Sequence, residues 1–178
     1  MQRLFSKIGL VGMILAAVTI SFCFTALAAE KKKFTFSKKT EKSLSLVNLH
    51  DRTDQKHRIT QYSRLDVITA HTDRDLIGAE QTVYGQNEFR ASMYKGDEAV
   101  TWGYIVTRSK DEDCYYAKFQ ATGIMTVSSG MDWEMETESK FQIFGGTGKY
   151  LGVKGSGVCK GKLTPNGVIE KCEGEWEY

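Results

Sequence analysis

Proline occurs once in this 178-residue chain, net charge is nearly absent, and helical periodicity is missing beyond the first thirty residues. Lys and Arg number 24 against 22 Asp and Glu, and the excess lies in Arg3 and Lys7. Without those two, 24 − 2 = 22 basic residues face 22 acidic ones, so the remainder is neutral. A neutral body lacks the cationic surface that phosphate neutralisation requires, which excludes nucleic acid as a partner. With 41% hydrophobic residues the chain is too apolar for a disordered tail, and it is too short for two ordinary domains. Catalytic signatures are missing as well. There is no Cys-x-x-Cys and no Gly-x-Ser-x-Gly. The string Gly146-Thr147-Gly148-Lys149 fails as a phosphate loop, because Ile143 stands where the first Gly belongs and Tyr150 where Ser or Thr belongs. The only histidines, His50, His57 and His71, with Asp51, Asp54 and Asp73, show no tight ligand spacing. Neither metal nor cofactor is expected.

Met1 to Ala29 contains no acid. Arg3 and Lys7 precede an uncharged apolar stretch, and Ala26-Leu27-Ala28 supplies small residues for signal peptidase. Residues 1–28 therefore read as a signal peptide and the protein as extracytoplasmic, periplasmic or secreted. Residues 29–42, carrying Lys31, Lys32, Lys33, Lys38, Lys39 and Lys42, read as a flexible basic lead-in. Residues 43–178 then form the single folded domain.

That domain alternates with period two. Trp133, Met135, Thr137, Ser139, Phe141 and Ile143 share one face, while Glu134, Glu136, Glu138, Lys140 and Gln142 share the other. Val83, Gly85, Phe89, Ala91 and Met93 share a face on another strand, as do Trp102, Tyr104 and Val106, and Tyr115, Ala117, Phe119 and Ala121. Turn chemistry interrupts at 95–97, 110–113, 128–130, 145–148 and 164–167. Eight or nine strands on short connections predict an all-β, antiparallel up-and-down barrel, whose closure removes exposed edges. The charged outward faces exclude a transmembrane barrel, since lipid would penalise each such residue by about 2–4 kcal/mol at depth.

The last hairpin predicts a disulfide. If Thr164 and Gly167 close a two-residue loop, paired residue numbers sum to 331, which sets Cys159 opposite Cys172 and Gly155 opposite Trp176. A one-residue slip would set Cys159 against solvent-facing Glu173. Directly opposed Cβ atoms lie close enough to bridge, and an exported chain meets an oxidising compartment. Cys114 is left over, free or pairing between molecules.

Phe144-Gly145-Gly146-Thr147-Gly148-Lys149-Tyr150-Leu151-Gly152, followed by Gly155-Ser156-Gly157, resembles the signature hairpin of the allene oxide cyclase and dirigent families. The resemblance implies their eight-stranded antiparallel barrel. It carries over no catalytic residues, because the shared motif is a turn and a close-packed strand. Those glycines also have a local reading: Gly145, Gly146 and Gly148 take the positive φ that other residues resist.

An eight-stranded barrel encloses room for one small ligand or for packed side chains. The expected site is a lumen in which Thr137, Ser139 and Asn87 orient a small apolar or aromatic ligand. Trp133, Phe141, Trp102, Tyr104, Phe119 and Phe89 would bury it. The favoured function is non-catalytic binding. The alternatives are a cyclase or isomerase that shapes a reactive substrate, and an interaction module with a filled core, oligomerising through an outer wall that bears Tyr84 and Tyr94.

Overall fold

The computed structural model describes residues 30–51, 57–90, 97–129, 132–164 and 166–178. They form eight strands: β1 (Lys32–Asp51), β2 (His57–His71), β3 (Glu80–Arg90), β4 (Asp97–Arg108), β5 (Cys114–Ser129), β6 (Asp132–Gly146), β7 (Lys154–Thr164) and β8 (Gly167–Glu177). Each pairs antiparallel with its successor, and β1 returns to β8, so the sheet is a closed up-and-down barrel. The leader, Asp54 and residues 91–96 lie outside the described residues, as do the side chains of Asp51, Trp133, His50 and His57.

On β6 the alternation is as expected: Met135, Thr137, Ser139, Phe141 and Ile143 are buried, while Glu134, Glu136, Glu138, Lys140 and Gln142 are exposed. The terminal hairpin takes the expected register, with Cys159 opposite Cys172 and Gly155 opposite Trp176. The two cysteines are bridged, and Cys114 is free.

The lead-in is corrected. Lys32 to Lys39 pair one by one with Trp176 to Ile169 of β8, and this pairing closes the barrel. Phe34 and Phe36 are buried, Lys33 and Lys39 face water, and Lys38 points inward. The segment is an amphipathic strand whose apolar face consists of only two rings, so its basic composition dominates a sequence reading.

A second correction concerns β4. Trp102 and Tyr104 are 38% and 60% exposed on the outer wall, and Ala99, Thr101, Ile105 and Thr107 are the buried side chains. The reason is interior volume. One rung of directly opposed residues runs Tyr62, Gly85, Gly103, Phe119, Phe141, Gly157, Gly174 and Phe34 through all eight strands. Four rings alternate pairwise with four glycines, and Tyr62, Phe141 and Phe34 each take space that the glycine opposite leaves free. A Cβ at Gly85 would come within 2.7 Å of the Tyr62 ring, and one at Gly174 within 2.8 Å of Phe34. Gly103 is the inward residue of β4 on this rung, so its flanking aromatics must point out.

The strand ends where the described chain starts and stops are plugged. The glycine-rich motif folds into a single 3-10 turn, Gly148–Tyr150, that places Tyr150 against Tyr115 and Trp176, ring centroids 5.6 and 6.2 Å apart. Gly148 uses positive φ, whereas Gly145 and Gly146 do not. Gly146 is required instead by close approach, because an added Cβ would meet Tyr150 Cβ at 2.6 Å. A second 3-10 turn, Arg74–Leu76, capped by Asp73, buries Leu76 at the same end.

The bridge spans a sequence separation of 13. Loop-closure entropy of that size is worth about 3 kcal/mol. Reduction should therefore lower unfolding stability by roughly 2–3 kcal/mol in a urea titration and release two additional thiols. An unchanged midpoint would contradict a structural bridge.

Candidate functional site

Inside the barrel, chemistry changes along the axis. At the plugged end, Phe34, Phe36, Phe141, Tyr115, Tyr150 and Trp176 form a dense aromatic cluster, with Phe34 and Trp176 centroids 4.9 Å apart. His71 belongs to this cluster, stacked on Phe34 at 5.8 Å. Its Nδ1 accepts the Asp73 N–H at 2.8 Å, which leaves the proton on Nε2, a buried atom with no partner among the described residues. Burial pushes the imidazole pKa down, so it is neutral and acts as a core residue.

Below the aromatics lies a charged layer. Register sets Thr137, Gly161, Glu170 and Lys38 directly opposite one another across β6, β7, β8 and β1. Lys38, 3% exposed, pairs with Asp66 at 3.3 Å and with Glu170 at 3.2 Å. Asp66, fully buried, also accepts from Arg64 Nε with both oxygens at 3.0 Å and from the Thr40 hydroxyl at 2.8 Å. The Thr137 hydroxyl donates to Glu170 at 3.2 Å. Burial alone would push the Asp66 carboxyl up, but Lys38, Arg64 and Thr40 outweigh it and hold the group below the usual carboxylate range. Arg64 lies over the Tyr62 ring, 5.6 Å from the centroid, and burial raises the Tyr62 phenol to about 12. Glu170 also approaches both bridged sulfurs within 4.8 Å; in a disulfide they offer no thiolate to a metal.

Beside the charged layer runs a polar wall. Thr60, Asn87, Thr101, Ala121 and Ser139 are directly opposed across β2 to β6. The Thr101 hydroxyl donates to Asn87 Oδ1 at 2.6 Å, while Thr60 Oγ1 is buried with no partner among the described residues. Inward positions here, including Asn87, Phe89, Ala121, Gly123, Met125 and Leu163, are half-buried, whereas Ile68, Val83 and Ile143 at the plugged end are sealed. The hairpin-side interior is thus less tightly closed at β3, β5 and β7 than at β4, β6 and β8, where Ala99, Met135 and Val168 are buried.

Of the expected ligand residues, Thr137, Ser139, Asn87, Phe141, Phe119 and Phe89 occupy inward positions, while Trp102 and Tyr104 stand on the outer wall. Lys38, Arg64, Asp66 and Glu170 were missed in the sequence. Their signal was parity: Lys38 follows Phe34 and Phe36 at spacing two, and Glu170 sits between Val168 and Cys172.

Removing one partner of a buried ion pair costs about 3–5 kcal/mol, while replacing both with apolar groups is often neutral. Lys38→Met should destabilise by roughly that amount, and Lys38→Met with Glu170→Met should recover a large part of it in urea unfolding. Additive losses would show that the two groups do not interact.

No family model matches the chain, and no curated protein does. Solved structures similar to it include a protein with unknown function from Clostridium acetobutylicum ATCC 824, 14% identical, covering 83% of this chain and 97% of that one, TM-score 0.46. Another is a conserved protein of unknown function from Rhodopseudomonas palustris, 10% identical, covering 83% of this chain and 98% of that one, TM-score 0.44.

Proposed function

We propose that this is an exported barrel that binds a small, mostly apolar or aromatic molecule, without catalysis, in the hairpin-side half of its lumen. The observation that carries the reading is the buried charged layer. Well-packed apolar residues of the same volume would serve a filled core at least as well as two desolvated cations and two carboxylates. Their presence, beside an unpartnered Thr60 hydroxyl and half-buried Phe89 and Asn87, fits a surface meant to meet a ligand. The disulfide supports an oxidising compartment, and the apolar leader supports export. The likeness of residues 144–157 to the allene oxide cyclase and dirigent hairpin supports the barrel as a binding scaffold.

Ligand binding to the folded state raises the melting temperature. A panel of phenolics and fatty acids should contain compounds that do so, and Thr137→Val and Ser139→Ala should weaken their binding roughly two- to tenfold, the worth of one hydrogen bond, with the fold intact. No shift with any compound would overturn the reading.

A second reading, an interaction module that self-associates, is favoured by the outer wall. Tyr84 and Tyr104 are directly opposed and more than half exposed, and Phe144 packs edge-on against Tyr104 at 6.4 Å. An aromatic patch of this kind on a monomer marks a contact surface. Sedimentation velocity should then show an oligomer that Tyr104→Glu converts to monomer; a monomer throughout would exclude it.

A further inference from the structure

The charges inside the lumen cancel: Lys38 and Arg64 stand against Asp66 and Glu170. Three of the four are fully engaged. Lys38 lies between two carboxylates, Asp66 is held by Lys38, Arg64 and Thr40, and Glu170 by Lys38 and Thr137. Arg64 is different. Its Nε is taken by Asp66, two residues toward the plugged end, while its guanidinium carbon lies over Tyr62, two residues toward the hairpin end of the same inward row. The side chain thus spans from one to the other, with its guanidinium over the Tyr62 ring. Among the described residues, neither Nη group makes a hydrogen bond, and Arg64 keeps 13% exposure where Lys38 keeps 3%.

We propose that this Nη edge receives the polar head of the lumen ligand, and that the head is an uncharged acceptor oxygen, the carbonyl of a ketone, lactone or amide, rather than a carboxylate. The inference rests on the lumen-binding reading above and names its ligand class. In isolation an arginine fork favours a bidentate anion. Here Asp66 and Glu170 already neutralise both cations, so an entering carboxylate leaves the desolvated lumen with one uncompensated negative charge beside two others. A carbonyl satisfies the Nη donors without adding charge. The buried Thr60 hydroxyl supplies a further hydrogen-bonding group on the adjoining wall.

Three probes of one ring and similar size separate these terms: acetophenone, benzoate and ethylbenzene, titrated into the native disulfide-bonded protein and followed by amide chemical shifts. Acetophenone should bind at least roughly tenfold tighter than either of the others at neutral pH. Glu170→Gln removes one negative charge and keeps an oxygen for Thr137 to donate to. It should shift the benzoate-to-acetophenone affinity ratio by roughly tenfold or more toward benzoate. Asp66→Asn is the second variant if Glu170→Gln does not fold, and the native titration decides if neither does. Benzoate matching acetophenone in the native protein, or a ratio unmoved by either variant, overturns the charge selection and leaves the binding lumen standing. Ethylbenzene matching acetophenone overturns the role of Arg64. If none of the three binds, the lumen reading falls and this inference with it.

Discussion

The pairing of β1 with β8 is the constraint on which the rest depends. Before it forms, β1 to β8 are an open sheet with two unpaired edges and one apolar face in water. Once Lys32 to Lys39 lie along Trp176 to Ile169, the sheet has an inside, and residues about 130 positions apart in sequence become neighbours on one rung. Lys38 meets Glu170 only because of that closure, while Asp66 reaches it from the adjoining β2. The same closure seats Phe34 over Gly174 and completes the aromatic cluster.

Closure also limits volume, and the limit divides the interior. Four rings fit on one rung because four glycines share it, so the plugged half is filled without a cavity being needed. On the next rung the inward residues of β2 to β6 shrink to Thr60, Asn87, Thr101, Ala121 and Ser139, with the charged layer beside them. Buried charge that is internally balanced is a modest contributor to stability and a strong determinant of what else enters. The fold is carried by the aromatic half and the bridge; in the proposed function, selectivity falls to the balanced half.

How much of this the sequence reveals depends on whether a strand has one wet face and one dry face. β6 and the terminal hairpin do, so their orientation, their register and the bridge were readable from alternation alone. β4 does not: with Trp102, Tyr104 and Val106 on one side and Ala99 and Ile105 on the other, hydrophobicity cannot choose, and the inward row is the one that carries Gly103, where a side chain would strike the β3 backbone at Tyr84. The charged layer was hidden for another reason. Lys38, Asp66 and Glu170 each occupy an inward position by parity, but charged residues default to water, and Glu170 lies on a strand that adjoins that of Lys38 only in the closed barrel. A charge on the dry parity of a strand is the clue to look for, and it acquires meaning only when a second of opposite sign shares its rung.

Native-state amide hydrogen exchange along Lys32 to Lys39 tests the closed lumen most directly. In a barrel sealed by β8 these amides are protected to the same degree as those of β5 and β6 and exchange with them as one cooperative unit. Exchange of this segment at the rate of an unstructured peptide, while β2 to β8 remain protected, would mean an open sheet with no interior, and the account would be wrong.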